Sequence, residues 1–587
     1  MKQADAEYIA QLLLSLTGSR TETISVAGQA IMALTHDPRS ISTAAGRRAI
    51  GEYSGALFLH HSDEADTNWT HLPQVVPSVD GLRASPVRSG SMMTLGYYAE
   101  SDGGGGIFAW SAASTAADNG GTIICPTGHT TAGRWVRVWS DEINVRWFGA
   151  RGNGVADDYA AIVAAQSALG FAGGTLFFPA GTYNVSQHLT APSGYTWRGV
   201  SSYYQIADRT SRIVLTTEQD YMLVVGPTCQ KFAAESLWFD AAHHAGKSVV
   251  YFPGTASAWF CTFTDCAFDK PKLVADGGLG HVVQMDGTSQ IDDCTFERCQ
   301  FWASTADGAI NTGAALVFVG TNTNALLNTW RKCSFWGGQV GFEIRAGSAI
   351  VTGCDFGGIT QHCVRAESVE LLVENCYSEA SGAWFFNQTN YAGPSSPFVK
   401  TILRGNVANG TGMGVALNCK CPTILENNTL AYYVFVTPAA TVGVNRVIGR
   451  NNTITLDGAV QVFTGTGYPS MVDEWDDVLS TSGAIICPKG GPRQVIVSVT
   501  PYTAAPSSAT EYVYNVSGVY AFNLPASPLN DQRVVVKDGT GNASAVNVIT
   551  VSGNGRNIDG AGTATITTGY GCLRLVFNSA FNKWFIY

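Results

Sequence analysis

The chain has 587 residues, a net charge of −10 and only 14% Asp, Glu, Lys and Arg, against about 25% in an average globular protein. The acidic balance argues against an electrostatic binder of nucleic acid, and no apolar run approaches the roughly 18 residues of a membrane span. Hydrophobic residues at 45% exclude wholesale disorder.

The first 50 residues carry the best helical pattern, with Ile9, Leu12, Leu13, Leu14 and Leu16 on one face and a second helical segment near 26–50. No signal peptide is evident at the N-terminus, so the 14 cysteines read as buried free thiols rather than disulfides. Residues 51–80 read as loop-rich. Residues 81–140 read as strand and turn around Gly103–Gly106, closing on a Trp/Arg-rich GRWVRVW, and a boundary is expected near Asp141.

In residues 145–188, Asp157 or Asp158 is placed to cap a helix with apolar Ile162, Val163 and Leu169, ended by Gly173-Gly174. A strand Thr175–Phe178 and the turn Pro179-Ala180-Gly181 follow. This text, FGARGNGVADDYAAI…GGTLFFPAGTY, resembles the opening of the right-handed parallel β-helix in pectate-lyase-like proteins and phage tailspikes, with Asn153 where that text carries Asp.

An internal repeat comes next. Cys-x-Phe recurs at Cys266, Cys299, Cys333 and Cys354, then decays to Cys376-Tyr377-Ser378, Asn406, Asn428 and Asn452, with spacings of 33, 34, 21, 22, 30, 22 and 24. A base period of 21–24 suits one solenoid coil, and the longer intervals carry loops. Two residues before each Cys/Asn stands the column Thr264, Glu297, Arg331, Thr352, Glu374, Arg404, Glu426, Arg450, whose last four alternate in sign. Neighbouring coils lie about 4.8 Å apart, so these charges are expected to pair and to face outward. Glu343 with Arg365, and Arg345 with Glu367, form a second such set. The Cys/Asn side chains are expected to turn inward and stack, the asparagines as an amide ladder. The apolar column Ile350, Leu372, Ile402, Ile424, Ile448 is either an outward flank or part of the core.

The repeat fades after about 456. Residues 466–492, with an acidic cluster (Asp473, Glu474, Asp476, Asp477) and CPKGGP, read as a linker. Residues 493–587 read as a β-sandwich of short strands, and they resemble the C-terminal modules of phage fibres and tailspikes. Residues 81–140 resemble the small head that precedes the helix in such spikes. The fold expected is therefore all-β: a head at 81–140, a right-handed parallel β-helix at 141–465 and a C-terminal sandwich, with a partly helical attachment segment at 1–80.

The resemblance to tailspike depolymerases implies a homotrimer on the phage tail that recognises and cuts bacterial capsular polysaccharide at the cell surface, attached through its N-terminus to the tail or to another spike, with no membrane insertion and no nucleic-acid partner. Cleavage by hydrolysis needs two carboxylates, and sugar rings stack on aromatic faces. On the solenoid, Trp302 and Trp336 fall on successive coils, followed by Tyr377. Asp355 and Glu379 lie one coil and two residues apart, about 8 Å between Cα atoms, and no charge partner for either is evident in the repeat. They are the expected catalytic pair, with Glu343 and Glu297 in reserve. Tyr377, Trp384, His362, Arg345 and Arg365 join the tryptophans as substrate-binding candidates, the arginines having the salt-bridge ladder as their alternative role. The loops 270–290 and 303–327 are expected to wall the groove. No zinc-type spacing is present: Cys419-x-Cys421, His60/His61 and His243/His244 lack matching ligands, so neither a metal nor a cofactor is expected. A polysaccharide lyase on the same scaffold and a non-catalytic adhesin are the competing readings.

Overall fold

In the computed structural model, the described residues are 74–409 apart from 171–172, 203–209, 227, 254–256, 286–289, 304–314, 321–323, 368, 380–383 and 389–399, strands within 31–71 and 415–497, and 500–587 apart from 505–509, 515–517 and 529. The chain divides into two compact units, residues 1–184 with 197–199, and residues 185–196 with 200–587. No described helix is long and apolar enough to cross a membrane.

In the first unit, Ile31–Ala33 and Arg48–Tyr53 pair in parallel, and Ala56–His61 and Trp69–His71 extend the sheet antiparallel. The second helical segment expected near 26–50 is thus replaced by strand at both described stretches. Arg48–Tyr53 gains a full antiparallel ladder with Ala56–His61, and that pairing outweighs local helical periodicity. The helical pattern at residues 9–16 lies outside the described residues. A five-stranded sheet follows, formed by Gln74–Val76, Ser91–Thr94, Gly106–Ser111, Arg134–Arg137 and Ile123–Ile124. It packs a core of Val79, Leu82, Met92, Phe108, Ile124 and Trp135. The helix Val79–Ala84, capped by the Ser78 hydroxyl, belongs to this core, so the head begins upstream of residue 81.

The motif at 145–188 folds as helix Tyr159–Leu169 followed by strands Gly174–Phe177 and Gly181–Val185. Of the two expected caps, Asp157 accepts from the Tyr159 amide at the helix start at 3.1 Å, whereas Asp158 makes no capping bond and its carboxylate accepts from the Arg151 and Gly152 amides at 2.6 and 2.9 Å. Val163 is exposed, the buried face being Ile162, Ala165 and Leu169, and the helix already stops at Gly170. Asn153 accepts from the Val155 and Ala156 amides, 3.0 Å each, a task that its amide oxygen performs as well as a carboxylate would.

The second unit is a right-handed parallel β-helix with a C-terminal module. Each coil contributes a strand to each of three sheets. The first holds Thr295–Glu297, Asn328–Arg331, Ser348–Thr352, Glu370–Glu374, Thr401–Arg404 and Thr423–Glu426; the second holds Gln300–Trp302, Ser334–Trp336, Asp355–Gly357 and Tyr377–Glu379; the third, eleven-stranded, holds Ala315–Val319, Val340–Ile344, His362–Ala366 and Trp384–Gln388. The turn from first to second sheet is two residues long, and its first residue is left-handed: Asp265, Arg298, Lys332, Gly353, Asn375, Gly405, Asn427 and Asn451 have φ of 52–64°. The next residue is the repeating Cys/Asn, and it points inward.

That inward column is one continuous ladder. Asn406 Nδ2 donates to Asn428 Oδ1, and Asn428 Nδ2 to Asn452 Oδ1, at 2.9 Å each. Asn406, Asn428 and Asn452 also donate to the Val373, Leu403 and Leu425 carbonyls one coil back. The thiols copy this: Cys376, Cys354, Cys333 and Cys299 point at the equivalent carbonyls of Val351, Trp330, Phe296 and Phe263, at 3.2–3.6 Å. The phenylalanines of Cys-x-Phe fill the core beside it, Phe268–Phe301–Phe335–Phe356 stacking at 5.5, 5.0 and 4.8 Å. On the outer face the charge column pairs as expected: Arg331 with Glu297 at 2.5 Å, and Arg404 with both Glu374 and Glu426.

Ile350, Leu372, Ile402 and Ile424 are register partners that alternate with fully buried Val351, Val373, Leu403 and Leu425, so this column faces outward. The sheet also outlasts the visible repeat. Val472–Trp475, which carries Asp473 and Glu474 of the supposed linker, pairs with Val447–Arg450. Residues 493–587 form two sheets around a core that includes Val497, Phe522, Val536, Leu575 and Trp584. Successive strands alternate between the sheets and pair in parallel up to Ile549–Ser552, then turn antiparallel, so this sandwich is itself wound like a short solenoid.

Candidate functional site

The outer face of the second sheet changes character along the helix. At Trp238–Asp240 and Ala267–Asp269 every residue is buried, and Asp240 is closed off by Arg212 and by Lys270 at 3.1 Å. From Gln300 onward the face opens: Trp336 is 44% and Tyr377 39% exposed, Asp355 is half-buried and Glu379 exposed. The open stretch follows from strand parity. Phe335, Phe356 and Ser378 point into the core, so the residues on either side of each point outward.

Register brings five of the expected residues onto this one face. Ser334, Asp355 and Tyr377 form one column, and Trp302, Trp336, Gly357 and Glu379 the next. Asp355 and Glu379 thus sit one strand and two residues apart, about 8 Å between Cα atoms. Each carboxylate has a hydroxyl partner, which the repeat alone did not reveal. Ser334 Oγ donates to Asp355 Oδ2 at 2.6 Å, and Tyr377 Oη donates to Glu379 Oε2 at 3.2 Å. The expectation from the repeat concerned charge partners alone, and these hydroxyl contacts stand beside it.

Gly357 shapes the floor. A Cβ there would stand 2.8 Å from Cε2 and Cζ2 and 3.0 Å from Cη2 of Trp336, so the indole leans across the glycine toward the Glu379 coil. Ser334 and Gly357 were missed as site residues. Their signal was available, since both occupy the columns already aligned on the Cys/Asn bend.

The other candidates lie elsewhere. Glu297 belongs to the first sheet, held by Arg331 and Arg298, and Arg331 keeps its carboxyl below the ordinary range. A proton donor needs the opposite shift, so Glu297 is a poor reserve acid. Glu343, His362, Arg365 and Trp384 lie on the third sheet, and Arg345 stands in the bend just after the strand that carries Glu343. Glu343 is 6% exposed rather than outward in water, and it sits beneath Arg345 at 2.7 Å and Arg365 at 3.8 Å, with Glu367 4.0 Å from Arg345. Burial raises the Glu367 carboxyl. This closed set of two acids and two arginines is the ladder alternative, and it engages the arginines. His362 pairs in register with Trp384 and stands 3.4 Å from Asn387 Nδ2; burial first, then Arg365, lowers its pKa to about 4, so the ring is neutral. The groove walls also differ: 281–285 and 315–319 are strands of the third sheet rather than loop. Among the described residues no group of three or more His, Cys, Asp and Glu is placed to hold a metal.

Residues 75–140 match the family described as phage tail protein small four-stranded β-sheet domain, and residues 142–383 match rhamnogalacturonase A/epimerase, pectate lyase-like. A search of curated proteins finds no match. Similar solved structures include the tailspike protein of Acinetobacter phage vB_ApiP_P1 (16% identity, TM-score 0.49, 88% of this chain and 90% of that one) and the gp42 tailspike of Acinetobacter phage vb_AbaP_AS12 (14%, 0.46, 88% and 91%). Another is tailspike gp49 of Acinetobacter baumannii bacteriophage Fri1, described as a capsular polysaccharide depolymerase (14%, 0.44, 68% and 77%). Residues 75–140 thus match a phage-tail β-sheet domain, and residues 142–383 match a pectate-lyase-like domain that includes the coils carrying Asp355 and Glu379.

Proposed function

We propose that the protein is a virion tail enzyme that binds a bacterial capsular polysaccharide and hydrolyses its glycosidic bonds, with Asp355 and Glu379 as the acid–base pair. The observation that carries this reading is the meeting of two accessible carboxylates and a leaning indole on consecutive coils. Outward carboxylates whose Cα atoms stand about 8 Å apart are able to reach the roughly 6.5–9.5 Å carboxyl separation of inverting hydrolases, which leaves room for the attacking water. One carboxyl protonates the leaving oxygen while the other deprotonates that water. Ser334 and Tyr377 steady the two groups, and Trp336, with Trp302 one coil before it, offers an apolar face to the sugar ring. The working molecule in this reading is a homotrimer, carried on the tail through its N-terminal region.

Purified capsule supplies the test. New reducing ends without the absorbance of an unsaturated uronate support hydrolysis; that absorbance supports a lyase; unchanged chain length supports an adhesin. Asp355→Asn and Glu379→Gln should each lower kcat by about 10²–10⁴ with the fold intact by circular dichroism. Full activity in both variants sinks the pair.

A further inference from the structure

The charge inventory around the site speaks to the kind of sugar that is cut. Residues 299–399 contain four lysines and arginines (Arg331, Lys332, Arg345, Arg365) against seven acids (Asp307, Glu343, Asp355, Glu367, Glu370, Glu374, Glu379). Each arginine is already engaged on another sheet. Arg331 pairs with Glu297 on the first sheet, and Arg345 and Arg365 surround Glu343 on the third. Lys332 stands at the bend, its stem lying over Gly353, and its charge acts on Glu297. Farther along the second sheet, Arg212 and Lys270 are tied to the buried Asp240. The segments of 299–399 outside the described residues contain no lysine or arginine at all.

Among the described residues, the strands that carry Trp336, Asp355 and Glu379 therefore offer carboxylates, hydroxyls and an indole, with Lys332 in the bend before them. A uronate, sialate or phosphate-bearing sugar seated on Trp336 would bring a further negative charge within the screening length, about 8 Å at physiological ionic strength, of Asp355 and Glu379. Recognition of such groups elsewhere relies on arginine forks or lysine. Resting on the reading of Asp355, Glu379 and Trp336 as the sugar site, we infer that the sugar residue held against Trp336 and cut beside Asp355 and Glu379 is uncharged, a neutral hexose or an N-acetylated amino sugar. Acidic sugars in the same polymer lie outside these positions. The same inventory disfavours β-elimination, which requires a uronate and a group to neutralise its carboxylate.

Two measurements on the full-length protein test this. The first is mass spectrometry of limit fragments from a capsule that it shortens: both sugars flanking the cut are expected to be neutral, and an acidic or unsaturated residue at either new end overturns the inference. The second does not depend on cleavage. An array of neutral and acidic oligosaccharides is probed with the wild type, Trp336→Ala and Trp336→Phe. Neutral glycans are expected to lose about tenfold in binding with Trp336→Ala and less with Trp336→Phe, as loss of one aromatic stacking contact predicts. Acidic glycans whose binding depends on Trp336 would overturn the inference. Neutral binding without any cleavage would leave it standing and sink the hydrolase reading instead.

Discussion

Gly357 is the residue on which the aromatic floor turns. A methyl group there meets the Trp336 indole at 2.8 Å, with strand backbone on the other side, so the indole must swing off the sheet. Gly357→Ala should raise KM about tenfold while kcat stays within about threefold, because the carboxylates remain in place and one stacking contact is lost. A merely unstable variant would lower active protein and leave KM alone. His362 makes a separate, pH-dependent contribution. Its ring is neutral in the folded chain, with a pKa of about 4, and Arg365 and Glu343 are the charges that act on it. An unfolded histidine titrates near 6.5, so between those values the unfolded chain holds more protons and stability rises with pH. The contribution is complete above about pH 6.5 and fades as pH falls toward 4. Partial exposure limits it to about 1–2 kcal/mol. His362→Gln should flatten that part of the curve of Tm against pH, and an unchanged slope would place the titration elsewhere.

Among elements, the bend between first and second sheets determines how coils stack. Asn428 there both donates and accepts: its amide reaches the Leu403 carbonyl and Asn452, and its oxygen takes the Asn406 backbone and side-chain amides. Asn428→Ala leaves several of these buried groups unmade and should destabilise the fold by about 3–5 kcal/mol, read by thermal unfolding. Cys376→Asn should fall within about 1 kcal/mol of wild type, since the thiol already points at the Val351 carbonyl that an amide would reach and its backbone amide already meets Asn406 Oδ1. A large loss there would mean that the thiols do not occupy the amide slot. This bend is also what made the sequence readable. Its two-residue length holds Cys266 to Asn452 in one register, so the charge columns and the Asp355/Glu379 and Trp302/Trp336 columns could be aligned by counting. Counting could not reveal hydroxyl contacts such as Ser334 on Asp355, because they depend on rotamers. Nor could it show that Glu343 is buried under two arginines, because period alone does not say how deeply an outward side chain is covered. Local periodicity likewise gave no hint of the ladder that makes Arg48–Tyr53 a strand, since the pairing comes from residues that follow it.

At the scale of the whole molecule, the first sheet carries an outward column that water alone does not explain. Ile350, Leu372, Ile402 and Ile424 stand half-buried beside the paired charges of Glu374, Arg404 and Glu426, in unbroken register over four coils. Sequence spacing left open whether this column faced the core. The alternation with buried Val373 and Leu403 answers that it does not. A continuous apolar stripe of this kind is suited to burial against another copy, and in a trimer with cyclic symmetry each chain would present it once to a neighbour. Leu372→Asp places one charge per chain at the middle of that stripe without touching the inward residues of the same strand. If the stripe lies between chains, three uncompensated carboxylates become buried and the proposed trimer should dissociate, giving monomer mass by light scattering while the β-sheet spectrum is retained. Thr352→Asp, on the same sheet but in the charge column between Arg331 and Glu374, should leave the mass at that of the wild type. A Leu372→Asp protein that stays trimeric would move the subunit contact to another face of the helix.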